Sequence, residues 1–367
     1  MRFSFSFLWL FLCSFFCIVS VNLEAAEKKF TVVIDPGHGG KDPGAVGSVL
    51  KLHEKNVNLA VALKLGELLE KEKDVTVIYT RKTDEFIPLD ERPLIANKAK
   101  ADLFISIHTN AAKNKAASGI ETYVVGSSTA NMEVAMLENS VILYEEDYKT
   151  RYNGFDPNSS ESYIMFEFMQ FAFMDQSLSL ASWVQDQLIT ACSREDRGVK
   201  QAGFLVLKHT NMPSILVELG YISNAEDEAY LSKETSHQEL AQAIHKSFLV
   251  YKADHDKKTG MVFEEPKKEV KPQKEPEKNA EPKICYSVQL LTSSKQRPLD
   301  SKDFKNYTPI KEYFEHGVYK YMYGEAASYD DVLKLKKEVQ KHFKDAFVVV
   351  FKDDKKLPPI QAKTYLK

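Results

Sequence analysis

The ten residues Thr31-Val32-Val33-Ile34-Asp35-Pro36-Gly37-His38-Gly39-Gly40 constrain this chain more than any other stretch. A β-branched apolar run ends abruptly at a proline and three glycines, with a histidine set among them. β-Branched residues favour a strand, and the Pro/Gly cluster stops it. His38 is therefore expected at the carboxyl end of a strand, where open α/β sheets gather their ligands. The glycines beside it let a large, rigid substrate approach the backbone. Taken alone, the decapeptide also reads as a tight turn with an exposed histidine.

Downstream, strand and helix patterns alternate, which predicts an α/β fold over residues 27–253: a mixed, mostly parallel sheet flanked by helices. Strands are expected at Lys29–Ile34, Val75–Thr80, Leu103–His108, Ile120–Val125, Phe204–Leu207 and Ile215–Leu219, the last of them central. Helices are expected at Asn56–Lys71, Leu89–Lys100, Ser179–Cys192 and Gln238–Tyr251. Residues 126–176 are a long insertion relative to a minimal sheet connection, and such loops usually carry function or structure of their own. The stretch Tyr163–Met174 within it is apolar nearly all round, so a helix there must be buried.

Residues 1–26 read as an export signal: Arg2, an apolar Phe7–Val21 run, then small residues ending in Ala25-Ala26. The run is short and interrupted by Ser14 and Ser20, which argues against a retained membrane span. Without that segment only Cys192 and Cys285 remain, in different expected domains, so no disulfide framework is predicted. The formal net charge of -3 gives no basis for electrostatic capture of nucleic acid. Between Lys257 and Lys283 lie eight Lys, six Glu and four Pro. Such a segment buries too little apolar surface to offset ordering entropy, and residues 254–283 are read as a linker. Residues 284–357 then form a small α+β domain, with strands at Ile284–Leu291, on either side of Gly317 within Tyr313–Tyr323, and at Ala346–Phe351, and a helix at Asp330–Phe343.

One constellation carries chemistry. His38, Glu54 and His108 are all predicted at the same edge of one sheet. Two imidazoles and a carboxylate leave one corner of a tetrahedral zinc open, as a hydrolytic site requires. Glu218 follows the apolar strand Ile215–Val217 beside the same cleft and could move a proton from water to a leaving nitrogen. A salt bridge or a helix N-cap is the plain alternative for Glu218. His53 neighbours Glu54 but reads as an exposed loop residue.

These residues resemble the zinc-dependent N-acetylmuramoyl-L-alanine amidases of bacterial cell walls. The matching pieces are Val33–Gly40 with Asp42-Pro43-Gly44-Ala45, Glu54-Lys55-Asn56 with Leu59, and Thr80-Arg81 with Asp84. Arg92, Ala96-Asn97, Ser106–Ala111 and Val217–Asn224 follow in the family's order. The resemblance implies one Zn2+ held by His38, Glu54 and His108, and Glu218 as the catalytic glutamate. It implies hydrolysis of the amide joining N-acetylmuramic acid to L-alanine, for wall remodelling and daughter-cell separation. Asp35 and Asn110 are candidates for orienting the histidines, with turn capping as the other role. Arg81 and Arg92 are expected to pair with Asp84 or Asp90. Some family members cover the zinc cleft with an inserted helix until an activator protein removes it. On that pattern Glu161 and Glu167 are the candidate inhibitory carboxylates.

The C-terminal region resembles the sporulation-related repeat (SPOR) domains that bind peptidoglycan, through Tyr286–Leu290, Gly317–Tyr321 with Gly324, and Asp345–Val349. This implies binding of glycan strands stripped of stem peptides, and enrichment at division sites in the periplasm. Gln289, Tyr319, Tyr321 and Tyr323 suit sugar contact, although strand alternation requires some of the tyrosines to be core. A zinc peptidase acting on stem peptides, and a non-catalytic peptidoglycan-binding protein, are the alternative functions.

Overall fold

The computed structural model describes residues 29–126, 128–167, 173–260, 283–357 and 359–366. The expected export signal and most of the Lys/Glu/Pro linker lie outside them. Six strands form the first sheet: β1 Phe30–Pro36, β2 Val75–Tyr79, β3 Leu103–Asn110, β4 Ile120–Val125, β5 Asp196–Ala202 and β6 Ser214–Tyr221. Their spatial order is β2-β1-β3-β6-β4-β5. The first four are parallel, whereas β4 runs antiparallel to β6 and parallel to β5. This is the mixed, mostly parallel sheet that the alternating pattern predicts.

The helices of this domain are α1 Glu54–Leu69, α2 Glu91–Lys98, α3 Met132–Asn139, α4 Tyr148–Arg151, α5 Ser160–Glu167, α6 Met174–Cys192, α7 Leu205–Lys208, α8 Ala225–Leu231 and α9 Glu234–Gly260. One face of the sheet packs on α1, α6 and α9, through Val57, Val61 and Leu65, then Ala181, Val184 and Leu188, then Ile244 and Phe248. The other face carries Val33, Phe104, Tyr123 and Leu216. It is covered by α2 and by the insertion, whose Ala135, Val141, Ile142, Tyr163 and Phe166 are buried there. Coverage on both faces explains why β3, β4 and β6 are buried at every position.

Two expectations for this domain are corrected. Phe204–Leu207 is not a strand; Leu205–Lys208 is a helical turn. A short apolar run is compatible with either, because burial alone decides its composition. The sixth strand is instead β5, whose sequence Asp-Arg-Gly-Val-Lys-Gln-Ala shows no apolar alternation because it lies at the sheet edge. The helix expected at Gln238–Tyr251 is longer and reaches Gly260, so the first residues assigned to the linker are helical. Among the described residues, no helix is long and apolar enough to cross a membrane.

The C-terminal domain has a five-stranded antiparallel sheet in the order β11-β10-β7-β9-β8. Its elements are β7 Ile284–Ser293, β8 Ile310–Glu315, β9 Val318–Ala326, α10 Tyr329–Val339, β10 Phe347–Lys352, β11 Lys355–Lys356 and α11 Pro359–Ala362. Helix α10 packs on the sheet face that presents Val288, Leu290, Tyr321 and Val350. Tyr319 and Tyr323 pack into the same cluster, so all three tyrosines considered for sugar contact belong to the helix side. Gln289 lies on the opposite face, buried, with Oε1 lacking a hydrogen-bond partner.

A buried ion pair ties the loop after β1 to the rest. Arg92 of α2 donates to Asp35 Oδ1 at 2.8 Å, and also to the carbonyls of Pro36 and His38 at 2.9 Å each. Arg81 donates to the carbonyls of Pro36, Gly37 and Lys55. Neither arginine therefore pairs as expected with Asp84 or Asp90. Asp84 instead takes Lys55, and Asp90 takes Arg151. Replacing Arg92 with Met leaves Asp35 as an uncompensated buried charge. R92M is expected to lose about 3–5 kcal/mol of stability, measured by urea unfolding of the mature chain.

Candidate metal centre

β1 and β3 are adjacent and parallel, with Pro36 opposite Ile107. Residues just past the end of β1 thus meet the last residues of β3. His38 has φ +61°, a left-handed conformation unusual for a residue with a side chain, and this turns its ring inward. Gly37 permits the approach, since a Cβ there would stand 2.4 Å from the His108 ring. Gly44 does the same for the third partner: at φ +65°, its Cβ would fall 2.6 Å from Glu54 Oε2. Glu54 opens α1 directly under that loop.

Four side chains converge here: His38, Glu54, His108 and Glu138, each offering one ligand atom, all within 4.8 Å of one another. His38 Nε2 lies 3.1 Å from Glu54 Oε1 and 3.1 Å from Glu138 Oε2. His108 Nδ1 lies 3.2 Å from Glu54 Oε1 and 2.8 Å from Glu138 Oε2. Nitrogen and oxygen alternate around one point. Ligands about 2.0–2.1 Å from a tetrahedral zinc sit roughly 3.3 Å apart, so the spacing fits such an ion with small relaxation. His38 Nε2, His108 Nδ1 and both Glu138 oxygens are buried without a hydrogen-bond partner. Buried polar atoms are ordinarily satisfied, and a shared cation would satisfy the two nitrogens and Glu138 Oε2. The residues fit a metal.

The remaining ligand valences are tied down. Glu54 Oε1 accepts from Thr109 N at 2.9 Å and Asn58 Nδ2 at 3.1 Å, and Oε2 accepts from Ala45 N at 2.8 Å. His38 Nδ1 is 2.6 Å from Asp42 Oδ2, the kind of partner that fixes a ligating imidazole. Burial alone would lower the basicity of His38, but the Glu54 and Glu138 carboxylates raise it well above the usual histidine range. His108 is likewise pushed up to about 9, with Glu138 outweighing burial. The centre demands positive charge, which a divalent ion supplies.

Glu218 lies on β6 opposite His108 in register. It is fully buried and neither carboxylate oxygen has a hydrogen-bond partner. Burial, then the negative charges of Glu138 and Glu54, push its carboxyl well above the usual range. A carboxyl so raised is suited to carrying a proton near neutral pH.

Asp35 and Asn110 hydrogen-bond to neither histidine. Asp35 accepts from Arg92, Thr80 and Ser106, and Asn110 donates to Glu121 at 2.6 Å. They brace the strands, and the orienting contact to His38 comes from Asp42. Glu161 is exposed and accepts from Ser159 and Ser160, while the side chain of Glu167 lies outside the described residues. The insertion carboxylate facing the histidines is Glu138, on α3. Sequence reasoning missed it because the insertion holds several glutamates and nothing in its spacing ranks them. Asp42 was visible in the motif, four residues after His38, as a potential hydrogen-bond partner.

Fold and site together define a four-residue cluster that could hold a metal ion at the edge of an α/β sheet. Residues 32–249 match the family described as N-acetylmuramoyl-L-alanine amidase, and the chain belongs to that family. AmiC of Escherichia coli is 37% identical over 235 residues, covering 62% of this chain and 54% of AmiC. AmiA of Escherichia coli is 33% identical over 223 residues, covering 61% of this chain and 76% of AmiA. Among solved structures, the amidase of Clostridium difficile 630 is 31% identical and covers 62% of this chain and 98% of that one, with a TM-score of 0.47. The chain thus spans about half the length of AmiC, and the family match ends before the C-terminal domain.

Asp42 provides a direct test of the centre. Asp42→Ala is expected to weaken metal affinity about 10- to 100-fold, measured by competition with a chromogenic chelator.

Proposed function

We propose that this chain is an exported, zinc-dependent amidase that hydrolyses the bond between N-acetylmuramic acid and L-alanine in peptidoglycan, and that α3 holds it inactive. The observation that carries this reading is the alternating ring of His38, Glu54, His108 and Glu138, with Glu218 beside it. His38, Glu54 and His108 would hold the ion. When bound, zinc supplies a Lewis acid that polarises the carbonyl and brings a water toward ionisation at neutral pH.

The chain's own residues do the rest. Glu218 takes the proton from the attacking water and hands it to the departing nitrogen. The new C–O bond forms first and the C–N bond breaks once the nitrogen has its proton, leaving a lactyl carboxylate on the sugar and a free amine on the peptide. Glu218 suits this because its buried, anion-facing position favours the protonated form between the two transfers.

Glu138 stands where water must enter. Its carboxylate fills the corner left by the three other ligands, and Ala135 and Asn139 of the same helix are buried against the domain. In this arrangement the centre is closed, and turnover requires α3 to withdraw, through an activator protein or another trigger. The C-terminal domain is read as the glycan-binding module that retains the enzyme in the periplasm where stripped strands accumulate, at division sites.

The experiment is digestion of purified sacculi by the mature protein. Chelator is expected to abolish fragment release, and mass analysis should find free stem peptides beginning with L-alanine. Cleavage within the peptides would instead identify a peptidase. Glu218→Ala is expected to retain its metal while losing about 10²- to 10⁴-fold in rate; full activity in that variant removes the assignment. Glu138→Ala is expected to release dye from labelled sacculi faster than the parent protein, and an unchanged rate would dismiss α3 as the block.

A further inference from the structure

The C-terminal sheet has a second buried face. Helix α10 covers one side. On the other, Gln289, Lys320, Met322, Val349 and Phe351 are buried although no helix of that domain lies over them. The catalytic domain covers it. Phe347 packs against the core shared with α6 and α9, and a Cβ on Gly317 would stand 2.4 Å from the Trp183 ring of α6.

Polar contacts cross this seam at several places: Lys295 pairs with Asp186 of α6 and Lys258 meets His316 at the exposed rim, and two buried or part-buried sets lie one at each end of the insertion. At its far end, Asp175 Oδ1 accepts from Lys320 Nζ at 2.7 Å and from Lys356 Nζ at 2.8 Å. The same two ammonium groups donate to Glu315 Oε2 at 2.8 and 3.0 Å. Lys320 is fully buried. Burial disfavours the Asp175 anion, yet the two lysines hold its carboxyl down to about 2. At the near end, Asn131 Nδ2 donates to Asp345 Oδ1 at 3.1 Å, Gln201 N donates to the same oxygen at 3.2 Å, and Ser128 Oγ donates to the Lys344 carbonyl at 3.4 Å. Asn131 immediately precedes α3.

A cleft of about 490 Å³ follows the seam. Lys200, Arg297 and Lys344 line it beside Asp345, and Gln289, with its unpartnered oxygen, reaches it too. It is a basic, amide-bearing groove, and its lining includes Leu178, one helical turn after Asp175, and Thr292, the strand partner of Lys320.

We propose that the C-terminal domain is a clamp that holds the insertion over the metal centre, and that glycan bearing free lactyl carboxylates opens it by displacing Asp175 from Lys320 and Lys356. The inference rests on the reading of Glu138 as the blocking group. Each turnover of the proposed reaction creates one such carboxylate on the sugar, whereas intact peptidoglycan has an amide at that position. Asp175 is then an internal stand-in for the product's anion. The first strands to be stripped would unlock further enzyme, and activity would spread from sites where hydrolysis has begun.

The test uses the mature full chain and two variants, Asp175→Asn and Asp345→Ala, one from each side of the seam; circular dichroism confirms that each is folded. Radius of gyration by small-angle X-ray scattering reads docking, and dye release from sacculi reads activity. Both variants are expected to expand and to work about tenfold faster, within the usual range for coupling between two sites. Glycan strands freed of stem peptides should expand and activate the parent protein, and strands whose carboxylates have been converted to methylamides should do neither. Variants that stay compact, or that expand without gaining activity, overturn the clamp. Failure of the carboxylated strands to expand or activate the parent protein overturns the displacement. Glu138→Ala separates the two readings: if it gains activity while the expanded variants do not, the clamp alone fails, and if it gains none, the blockade has failed first.

Discussion

Everything at this site follows from two parallel strands ending at the same edge. β1 and β3 lie side by side in register, so a histidine just beyond one and a histidine near the end of the other are brought within reach. The approach is closer than side chains normally allow. Gly37 must lack a Cβ for the His108 ring to stand where it does, and His38 must accept a left-handed backbone to face it. The Arg92 guanidinium, bonded to Asp35 and to the carbonyls of Pro36 and His38, holds that strained loop in place. Strain of this kind persists only where the surroundings over-determine it.

Charge is the second constraint. Glu54, Glu138 and Glu218 are all buried around two imidazoles, so three acidic groups compete for two basic ones. The consequences differ by residue. Glu54, bonded to Thr109 N, Ala45 N and Asn58, is kept well below the usual carboxylate range once the histidines outweigh burial. Glu218 has no such donors and is driven the other way. Two glutamates of one cluster thus acquire opposite tendencies, one held by cationic neighbours and hydrogen-bond donors, the other left to burial and nearby anions.

Much of this was legible in the sequence. The strand at Thr31–Ile34 and its glycine stop, the β3 run ending at His108, and the apolar β6 strand carrying Glu218 all place their residues by local pattern. The sheet class follows from alternation. What escaped notice has physical causes. β5 is an edge strand with polar residues on a half-exposed face, so it lacks the period that betrays a buried strand. Asp42 and Asp35 are both aspartates near His38, and only the turn of the backbone decides which one meets the ring. Glu138 belongs to an eight-residue helix whose position is set by its packing over the sheet rather than by its own pattern. The apolar stretch at Tyr163 called for burial, and Tyr163 and Phe166 are indeed buried, but that drew attention to Glu161 and Glu167 rather than to Glu138.

The seam between the two domains joins buried apolar residues, Met322, Val349 and Phe351, to buried charges. A permanent interface tends to bury apolar surface, because a lysine taken from water costs several kcal/mol that paired carboxylates only partly return. Here Lys320 is fully buried and Lys356 nearly so, and both are shared between Asp175 of one domain and Glu315 of their own. Glu315 stays with the lysines whether or not the domains are docked. Asp175 is the one partner that separation removes, and an anion supplied from outside could replace it at similar energetic cost. The same argument explains why the restraint sits at the ends of the insertion rather than at the metal centre. A carboxylate bound to a buried cation is hard to displace directly, whereas on the clamp reading loosening the C-terminal domain at Asp175 needs only the exchange of one anion for another.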